Sequence, residues 1–356
     1  MEVKKLRIDN EMLSLVQSVR TNSLNLSRVS DDFKKYHSKI DDCLSKKLAH
    51  SSREQYLSAF SRFEKFCNTN FVVALPSNPE VIMTYFIKIS EENNSVSSVL
   101  MARAAIIYVN KMFRADLPSP TDHPDVASCV KSIEKRFSKP VKKSAPMNKK
   151  ILDTMIDKVL QGDQLRNSNF KIGIGKWQIV AKSILKFNCM ARFEEAVDLK
   201  KSSFEFLDNG DCRILFLKGK TNQTHDANEN IIASMKNSPY CPVNILSKYF
   251  LRFGVEEDHL FMPQIKDGLV YLDEPAPYRY SLDQLRITLK DLGVPNWKDF
   301  GEHSDRCGGI SAAANAGVSE SVIQVHARMK SDKTPKLYIK RSQQQKRNVS
   351  HLLNSL

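Results

Sequence analysis

The sequence has no apolar run that approaches the roughly eighteen residues of a membrane-spanning helix, so we expect no such helix. The first residues, Met1–Arg7, lack the apolar stretch of a secretory signal. The seven cysteines are scattered, and no two of them form a Cys-x-x-Cys pair. We therefore expect a reduced, intracellular compartment and no structural zinc. No group of Asp, Glu or His has the spacing of metal ligands, so no metal centre is expected.

Positive charge is what the sequence has in excess. Its 356 residues include 54 Lys and Arg against 40 Asp and Glu, which gives a formal net charge of +14. An excess of this size points to a polyanionic partner, most often nucleic acid, although a basic protein without such a partner is the alternative. The length suffices for two ordinary domains, each with a sizeable core.

Hydrophobic spacing and proline positions divide the chain. Apolar residues recur at helical spacing over residues 46–138 and predict an all-helical domain. Residues 1–45 are more polar and predict an N-terminal arm or an extra helix. Residues 139–150 are basic and contain two prolines, which indicates a linker. This linker is either a solvated connector or a segment that follows a phosphate backbone.

The rest of the chain predicts a mostly helical domain with a small antiparallel sheet. Short strands are expected at 204–207 and 213–217, joined by the turn Asp208–Asp211, and at 230–233. Helices are expected at 151–160, 177–190, 243–253 and 282–292, and from Ser304 onward. The chain as a whole is therefore predicted to be mainly α.

Basic residues stand where a predicted helix and a predicted strand end. Arg192 follows an apolar helix and could simply interact with the C-terminus of that helix. Glu195, three residues later, could instead orient the guanidinium of Arg192. Lys218 and Lys220 follow a strand, where a lysine can reach into a cleft and protonate a leaving oxygen. Lysines at exposed turns are common, so neither lysine is informative alone.

A His-x-x-Arg pair opens the last predicted helix. His303 and Arg306 are three residues apart, a spacing that puts both on one helix face. An arginine there can clamp two phosphate oxygens, although incidental polar groups at a helix start are the alternative. The glycines and alanines that follow predict a helix packed tightly against a neighbour.

Tyr338 stands in a basic setting after this helix. A phenol is a weak nucleophile at its usual pKa of about 10. Lys336, Lys340 and Arg341 surround Tyr338 and would favour the phenolate. Ten tyrosines are present, so only the order of these groups singles out this one as a nucleophile for a phosphodiester.

These groups resemble the motifs of the tyrosine recombinase (phage integrase) superfamily over residues 46–338. They are most similar to those of eukaryotic mobile-element recombinases of the Crypton and DIRS kind. The matching motifs are Arg192 with Glu195 and Leu199, Lys220-Thr221-Asn222-Gln223, His303 with Arg306, and Tyr338.

One position departs from the family pattern. Nine residues before the tyrosine the family has His or Trp, and this chain has Met329. A thioether cannot supply the N–H donor of either ring, so activity would be reduced or sustained by a neighbour such as His326. His326 matches the eukaryotic branch of the family, which suggests that it packs rather than takes part in catalysis.

The resemblance implies a fold in two parts. Residues 46–138 would form a helical, SAM-like core-binding domain, and residues 151–338 an α+β catalytic domain with a small antiparallel sheet. The two would close around DNA as a C-shaped clamp. The tail, residues 339–356, would dock onto a neighbouring subunit, although a frayed terminus is the alternative.

The resemblance also implies a reaction. Tyr338 would attack a DNA phosphate and form a covalent 3′-phosphotyrosyl link. Arg192 and Arg306 would neutralise the charge of the transition state. Lys220 would protonate the departing 5′-oxygen, and His303 would assist proton movement at the tyrosine. No metal or other cofactor would be needed.

The implied partners are double-stranded DNA and further copies of the chain, as a dimer on one site and a tetramer in synapsis. Basic side chains of the helical domain, such as Arg53, Arg62, Lys65 and Arg103, would contact phosphates. The eukaryotic form of the motifs and the Lys/Arg clusters suggest the nucleus.

Three hypotheses for the function follow. The first is an active site-specific DNA recombinase, encoded by a mobile element and used for integration or excision. The second is a DNA-binding relative that keeps the fold but is catalytically weakened, as Met329 would favour. The third is a type IB topoisomerase, against which the helical N-terminal domain and the His-x-x-Arg pair argue.

Overall fold

The computed structural model describes residues 2–19, 29–37, 39–113, 118–139, 144–164, 170–216, 228–253, 259–261, 264–265, 270–271 and 274–329. The chain divides into two compact units, residues 1–141 and 142–356. Among the helices of the described ranges, none is both long and apolar enough to cross a membrane.

The first unit is built of helices. They are α1 (Glu2–Val19), α2 (Asp31–His37), α3 (Ile40–Ser45), α4 (His50–Thr69), α5 (Pro79–Asn93), α6 (Val96–Phe113) and α7 (Pro124–Phe137). The helices predicted over 46–138 are present as α4 to α7. Their apolar faces meet in one core that includes Phe63, Phe86 and Ile106. The Asn78 side chain caps the start of α5, where Pro79 occupies a position that needs no N–H donor.

The first helix of the chain also belongs to this packing. Ile8, Met12 and Val16 recur every fourth residue on α1 and are buried. They face the neighbouring helices, because α1 contacts α3, α4 and α6. Residues 1–45 therefore contribute a packed helix to the first unit.

Arg53 has a structural role in this unit. Its side chain is only 7% exposed, and its Nη1 lies 2.8 Å from Oδ1 of Asp9. The pair ties α4 to α1 and removes the Arg53 guanidinium from the surface. The expectation that Arg53 contacts a DNA phosphate is therefore wrong.

The second unit combines helices with two small sheets. Its helices are α8 (Lys149–Gln164), α9 (Phe170–Asn188), α10 (Phe193–Val197), α11 (Pro242–Phe253), α12 (Tyr278–Asp291), α13 (Ser304–Asn315) and α14 (Glu320–His326). Its strands are β1 (Phe204–Phe206), β2 (Cys212–Phe216), β3 (Asn228–Ile232), β4 (Gln264–Ile265) and β5 (Val270–Tyr271). The mainly α prediction is confirmed, as is the small antiparallel sheet.

The larger sheet has the order β1-β2-β3, and both of its strand pairs are antiparallel. Gly210, at a φ of 89°, forms the predicted turn between β1 and β2. At the far end of the sheet, Phe216 of β2 pairs with Asn228 of β3. The short pair of β4 and β5 was not anticipated from the sequence.

Helix α9 lies at the centre of the second unit. All residues from Trp177 to Lys186 are buried, and α9 contacts α8, α10, α11, α12 and α13. Such a helix is hydrophobic around most of its circumference because no side of it faces water. Its last turn and the segment after it carry the first group of candidate site residues.

Two glycines bring α13 against its neighbours at very short range. A Cβ atom on Gly308 would lie 2.0 Å from the carbonyl oxygen of Met147, and one on Gly309 would lie 2.1 Å from that of Phe187. The tight packing predicted from the small residues is confirmed. This approach places the start of α13 beside the end of α9.

Candidate active site

Arg192 follows α9, as predicted, and stands at the start of the next helix, α10. Helix α9 ends at Asn188, and Met190 then takes a left-handed φ of 49° that turns the chain. Arg192 is the N-terminal capping residue of α10, with an extended φ of −73° and ψ of 162°. Its backbone N–H donates to Oε2 of Glu195 at 2.9 Å, and its Nη1 donates to Oε1 of the same carboxylate.

Arg306 reaches the same carboxylate from α13. Its side chain is fully buried, and its Nη1 lies 3.9 Å from Oε2 of Glu195. Its Nη1 also donates to the carbonyl oxygen of Met190, and its Nη2 donates to that of Ala327 at 2.8 Å. The structure thus brings together two arginines that are far apart in the sequence.

Glu195 is the common partner of these groups. Burial alone would raise its pKa, but the charges of Arg328 and Arg192 and the N–H of Arg192 outweigh burial, so its pKa is lowered. The carboxylate is therefore ionised at neutral pH and can hold the guanidinium groups in fixed positions. Three arginines around one carboxylate leave an excess of positive charge, which suits an anionic ligand.

His303 precedes α13 as its N-terminal capping residue. His303 is exposed, whereas Arg306, three residues later, is buried. Partial removal of the ring from water, together with the charges of Lys186 and Arg306, lowers the pKa of His303. The ring is therefore neutral at neutral pH and able to accept a proton.

Met329 lies in an apolar cluster, where it is 7% exposed. The buried members of this cluster are Met190, Ile310, Ile323, Ala327 and Met329. The side chain fills space between the end of α9, α13 and α14, and it brings no hydrogen-bond donor to the site.

His326 has hydrogen-bond partners on both ring nitrogens. Its Nε2 lies 2.7 Å from the carbonyl oxygen of Asn188, and its Nδ1 lies 3.1 Å from Nδ2 of Asn230. These partners assign the proton to Nε2 and the acceptor role to Nδ1. The ring joins α14 to the end of α9 and to β3, which agrees with a packing role.

Lys218, Lys220 and Tyr338 lie outside the described residues. The two lysines fall between Phe216, the last residue of β2, and Asn228, the first residue of β3. Tyr338 follows Met329, where the described chain ends. Their roles therefore stay predictions.

Arg328 is a residue that the sequence analysis did not single out. Its Nη2 lies 3.1 Å from Oε2 of Glu195, and its side chain is 7% exposed. The one sequence signal was its place in the stretch His326–Met329, beside the position where the family has His or Trp. Its contacts come from distant segments, which sequence spacing does not reveal.

Comparison with known proteins gives a fold. A scan of family models and a search of curated proteins found no match to the sequence. The structure is similar to that of XerH, a site-specific recombinase bound to a palindromic difH substrate in a post-cleavage complex. The two are 15% identical, with a TM-score of 0.59, and the match covers 98% of this chain and 94% of that chain.

Two further structures are similar. A lambda integrase dimer bound to a COC′ core site, comprising residues 75–356, is 12% identical with a TM-score of 0.55, and the match covers 87% of this chain and 95% of that one. The Tn1549 transposon integrase in complex with transposon right end DNA is 10% identical with a TM-score of 0.52, and the match covers 98% and 99%. Over nearly its whole length, this chain therefore has the fold of the tyrosine recombinases.

Proposed function

We propose that the protein is a site-specific DNA recombinase that cuts and rejoins strands through a covalent 3′-phosphotyrosyl intermediate. One observation carries the proposal. Arg192 and Arg306 converge on the two oxygens of Glu195 within a fold shared with known recombinases. Two guanidinium groups held in fixed positions suit the binding of a phosphate whose charge grows in the transition state.

The proposed reaction begins at Tyr338. Its Oη forms a bond to the DNA phosphorus as the bond from phosphorus to the 5′-oxygen breaks, and Lys220 gives the departing oxygen a proton. The phenol proton passes to a base, a role for which neutral His303 is suited. Attack by the 5′-hydroxyl of a second strand reverses the step and exchanges strands.

DNA contacts in the first unit would come from its exposed basic residues. Arg62, Lys65 and Lys88 line a cavity of about 540 Å³ between α4, α5 and α6, together with the aromatic rings of Phe66 and Tyr85. The pairing of Lys88 with Glu92 removes part of this charge, which leaves Arg62 and Lys65 as the stronger candidates. Contacts of this kind make affinity fall steeply with salt.

Further proposals concern the biological role and the assembly of the protein. We infer from the motifs a mobile-element enzyme of the Crypton or DIRS kind that acts in the nucleus in integration or excision. It would bind one site as a dimer and synapse two sites as a tetramer, with residues 339–356 docked on a neighbouring subunit. Deletion of residues 343–356 is expected to weaken assembly on DNA, and unchanged tetramer formation would contradict the docking.

A DNA-binding relative with weakened catalysis is the second candidate. The apolar surroundings of Met329 favour it, because no N–H donor is supplied where the family has His or Trp. Loss of one donor to a transition-state oxygen costs about 2.7–4 kcal/mol. The second candidate differs from the first only in the rate of covalent attack.

The test uses a library of nicked duplexes whose sequence is randomised around the nick, so that cleavage traps the protein on DNA. Covalent complexes are purified in detergent and their DNA is sequenced. We expect the DNA of the covalent complexes to be enriched in one sequence, and we expect the Tyr338→Phe variant to form no covalent complex. Enrichment by non-covalent binding, without an adduct, would support the second candidate instead.

A further inference from the structure

We propose that Arg328 is a positioning residue that fixes both arginines of the candidate active site. The inference rests on the proposed function and assigns a role to a residue that is not among the catalytic candidates. Arg328 acts through Glu195 and through the backbone turn to which it belongs.

Arg328 adopts a backbone conformation that arginine rarely takes. Its φ is 53°, in the left-handed region where glycine is the usual residue. A non-glycine residue persists there only when its surroundings hold it in place. At this position, the surroundings are the contacts of the arginine side chain itself.

The guanidinium of Arg328 bridges separate segments of the second unit. Its Nη2 donates to the carbonyl oxygen of Cys189 at 3.0 Å, at the end of α9, and to Oε2 of Glu195 at 3.1 Å, in α10. Its Nη1 donates to Oδ1 of Asn230 in β3. The planar group also lies over the ring of Phe216 in β2, with Cζ 4.0 Å from the ring centroid.

These contacts reach the two catalytic candidates by two routes. Through Glu195, Arg328 shares the carboxylate that holds Arg192 and faces Arg306. Through the backbone, the carbonyl oxygen of Arg328 accepts from Nη2 of Arg192 at 3.5 Å. The preceding carbonyl, of Ala327, accepts from Nη2 of Arg306 at 2.8 Å. Any shift of this turn therefore moves acceptors of both guanidinium groups.

The same contacts include residues close in sequence to the remaining candidates. Phe216 and Asn230 flank the stretch that contains Lys220, and Met329 opens the stretch that contains Tyr338. Through one planar group, Arg328 thus links the segment after α9 with α10, β2 and β3. Lysine cannot replace it, since an ammonium group lacks the planar fork and stacks poorly on a ring.

The experiment compares Arg328→Ala and Arg328→Lys with Arg213→Ala. Arg213 is a matched control because it lies on β2, is 40% exposed and pairs with Glu205 on the neighbouring strand. We measure the rate of adduct formation on a nicked substrate, the affinity for the uncleaved duplex and the thermal midpoint.

Both Arg328 variants are expected to form adduct at least tenfold more slowly while binding DNA within threefold of the wild type, and Arg213→Ala is expected to match the wild type. In a protein that already carries Glu195→Gln, Arg328→Lys is expected to slow adduct formation by less than a further threefold, because both substitutions act on Arg192. An adduct rate of Arg328→Lys equal to that of the wild type overturns the proposal, and so does equal loss of binding and cleavage. Arg328→Lys serves if Arg328→Ala does not fold.

Amide hydrogen exchange separates failure of this inference from failure of the proposed function. In Arg328→Lys, exchange is expected to rise both at 189–197 and at 228–232, whereas Arg213→Ala leaves 189–197 unchanged. If the wild type forms no adduct, the proposed function fails, and this exchange still decides whether Arg328 holds the two segments. Unchanged exchange at both segments overturns the positioning role.

Discussion

Substitution of Asp305 by asparagine is expected to stabilise the second unit at neutral pH, although it removes a charge from a buried ion pair. Asp305 lies in a buried cluster with Lys182, Lys186 and Glu302 between α9 and the start of α13. Nζ of Lys186 lies 2.5 Å from Oε2 of Glu302 and 3.3 Å from Oδ2 of Asp305. Nζ of Lys182 lies 3.3 Å from Oε1 of Glu302.

The two carboxylates of this cluster differ in pKa. Burial would raise the pKa of Glu302, but the charges of Lys186 and Lys182 outweigh it and lower the pKa to about 2. For Asp305, burial outweighs the attraction of Lys186, and the neighbouring charge of Glu302 adds to it, so its pKa rises to about 6. Folding therefore favours the neutral form of Asp305 relative to the unfolded chain, so the ionised carboxylate present at pH 7 destabilises the folded state. Asparagine has nearly the shape of the neutral form and carries no charge.

The sign and size of the effect follow from linkage. When the folded state raises the pKa of an acid, stability falls as pH rises from the unfolded pKa to the folded one. For Asp305 this window runs from 3.8 to about 6. Above this window the full loss of folding stability is about 3 kcal/mol, because each unit of pKa difference corresponds to about 1.4 kcal/mol. Asp305→Asn does not incur this cost.

The measurement is denaturant unfolding followed by tryptophan fluorescence at several pH values. Trp177 and Trp297 are the two tryptophans of the chain and both belong to the second unit, so the signal reports on that unit. We expect Asp305→Asn to exceed the wild type by up to about 3 kcal/mol above pH 6, with the gain vanishing near pH 4. Asp283→Asn, at an aspartate on α12 whose side chain is 46% exposed, is the control and should change stability by less than about 0.5 kcal/mol. If Asp305→Asn were less stable than the wild type at neutral pH, the ionised Asp305 carboxylate would be a stabilising group, contrary to this prediction.

Three further predictions concern packing, DNA binding and position 329. Gly308→Ala places a methyl group against the carbonyl oxygen of Met147 and is expected to lower the free energy of unfolding by about 3 kcal/mol or more in the same assay. Ala312→Ser, at an exposed position on the same helix, should lower it by less than about 1 kcal/mol. Equal losses would contradict the close approach of Gly308 to Met147. Arg53→Ala is expected to lower the thermal midpoint and to leave the salt dependence of DNA affinity unchanged, because Arg53 pairs with Asp9. Lys65→Ala should reduce the slope of log affinity against log salt by about one, because Lys65 is proposed to contact a phosphate. The reverse pattern would contradict the structural role of Arg53 and the DNA contact of Lys65. Met329→Trp is expected to speed adduct formation by restoring an N–H donor, and a slower rate would mean that the site is built around methionine.

Periodicity and turn chemistry predicted most of the fold. Apolar residues at helical spacing located α4 to α9, and the stretch from Asp208 to Asp211 located the turn between β1 and β2. Both signals are local, since they depend on which residues face one core or allow one turn. The convergence of Arg192 with Arg306 was expected only through the family motifs, because no local pattern joins residues so far apart.

What the sequence did not reveal depends on tertiary contacts. The break after α9 depends on the left-handed backbone conformation of Met190. The sequence does not indicate this conformation, because non-glycine residues rarely adopt it. The burial of Arg53 depends on Asp9, which lies on another helix. Besides the nearby carbonyl oxygen of His326, Arg328 has partners just after α9 and in α10, β2 and β3, all of them about 100 or more residues away in the sequence.

The most direct test of the proposed covalent step is the identity of the residue that carries the DNA. The trapped complex is digested with nuclease and trypsin, and the peptide that retains a nucleotide is sequenced by mass spectrometry. We expect one modified peptide, with the nucleotide joined through a 3′-phosphate to Tyr338. A nucleotide joined to any other residue, or none on a protein that binds the same duplex, would contradict the proposed covalent step.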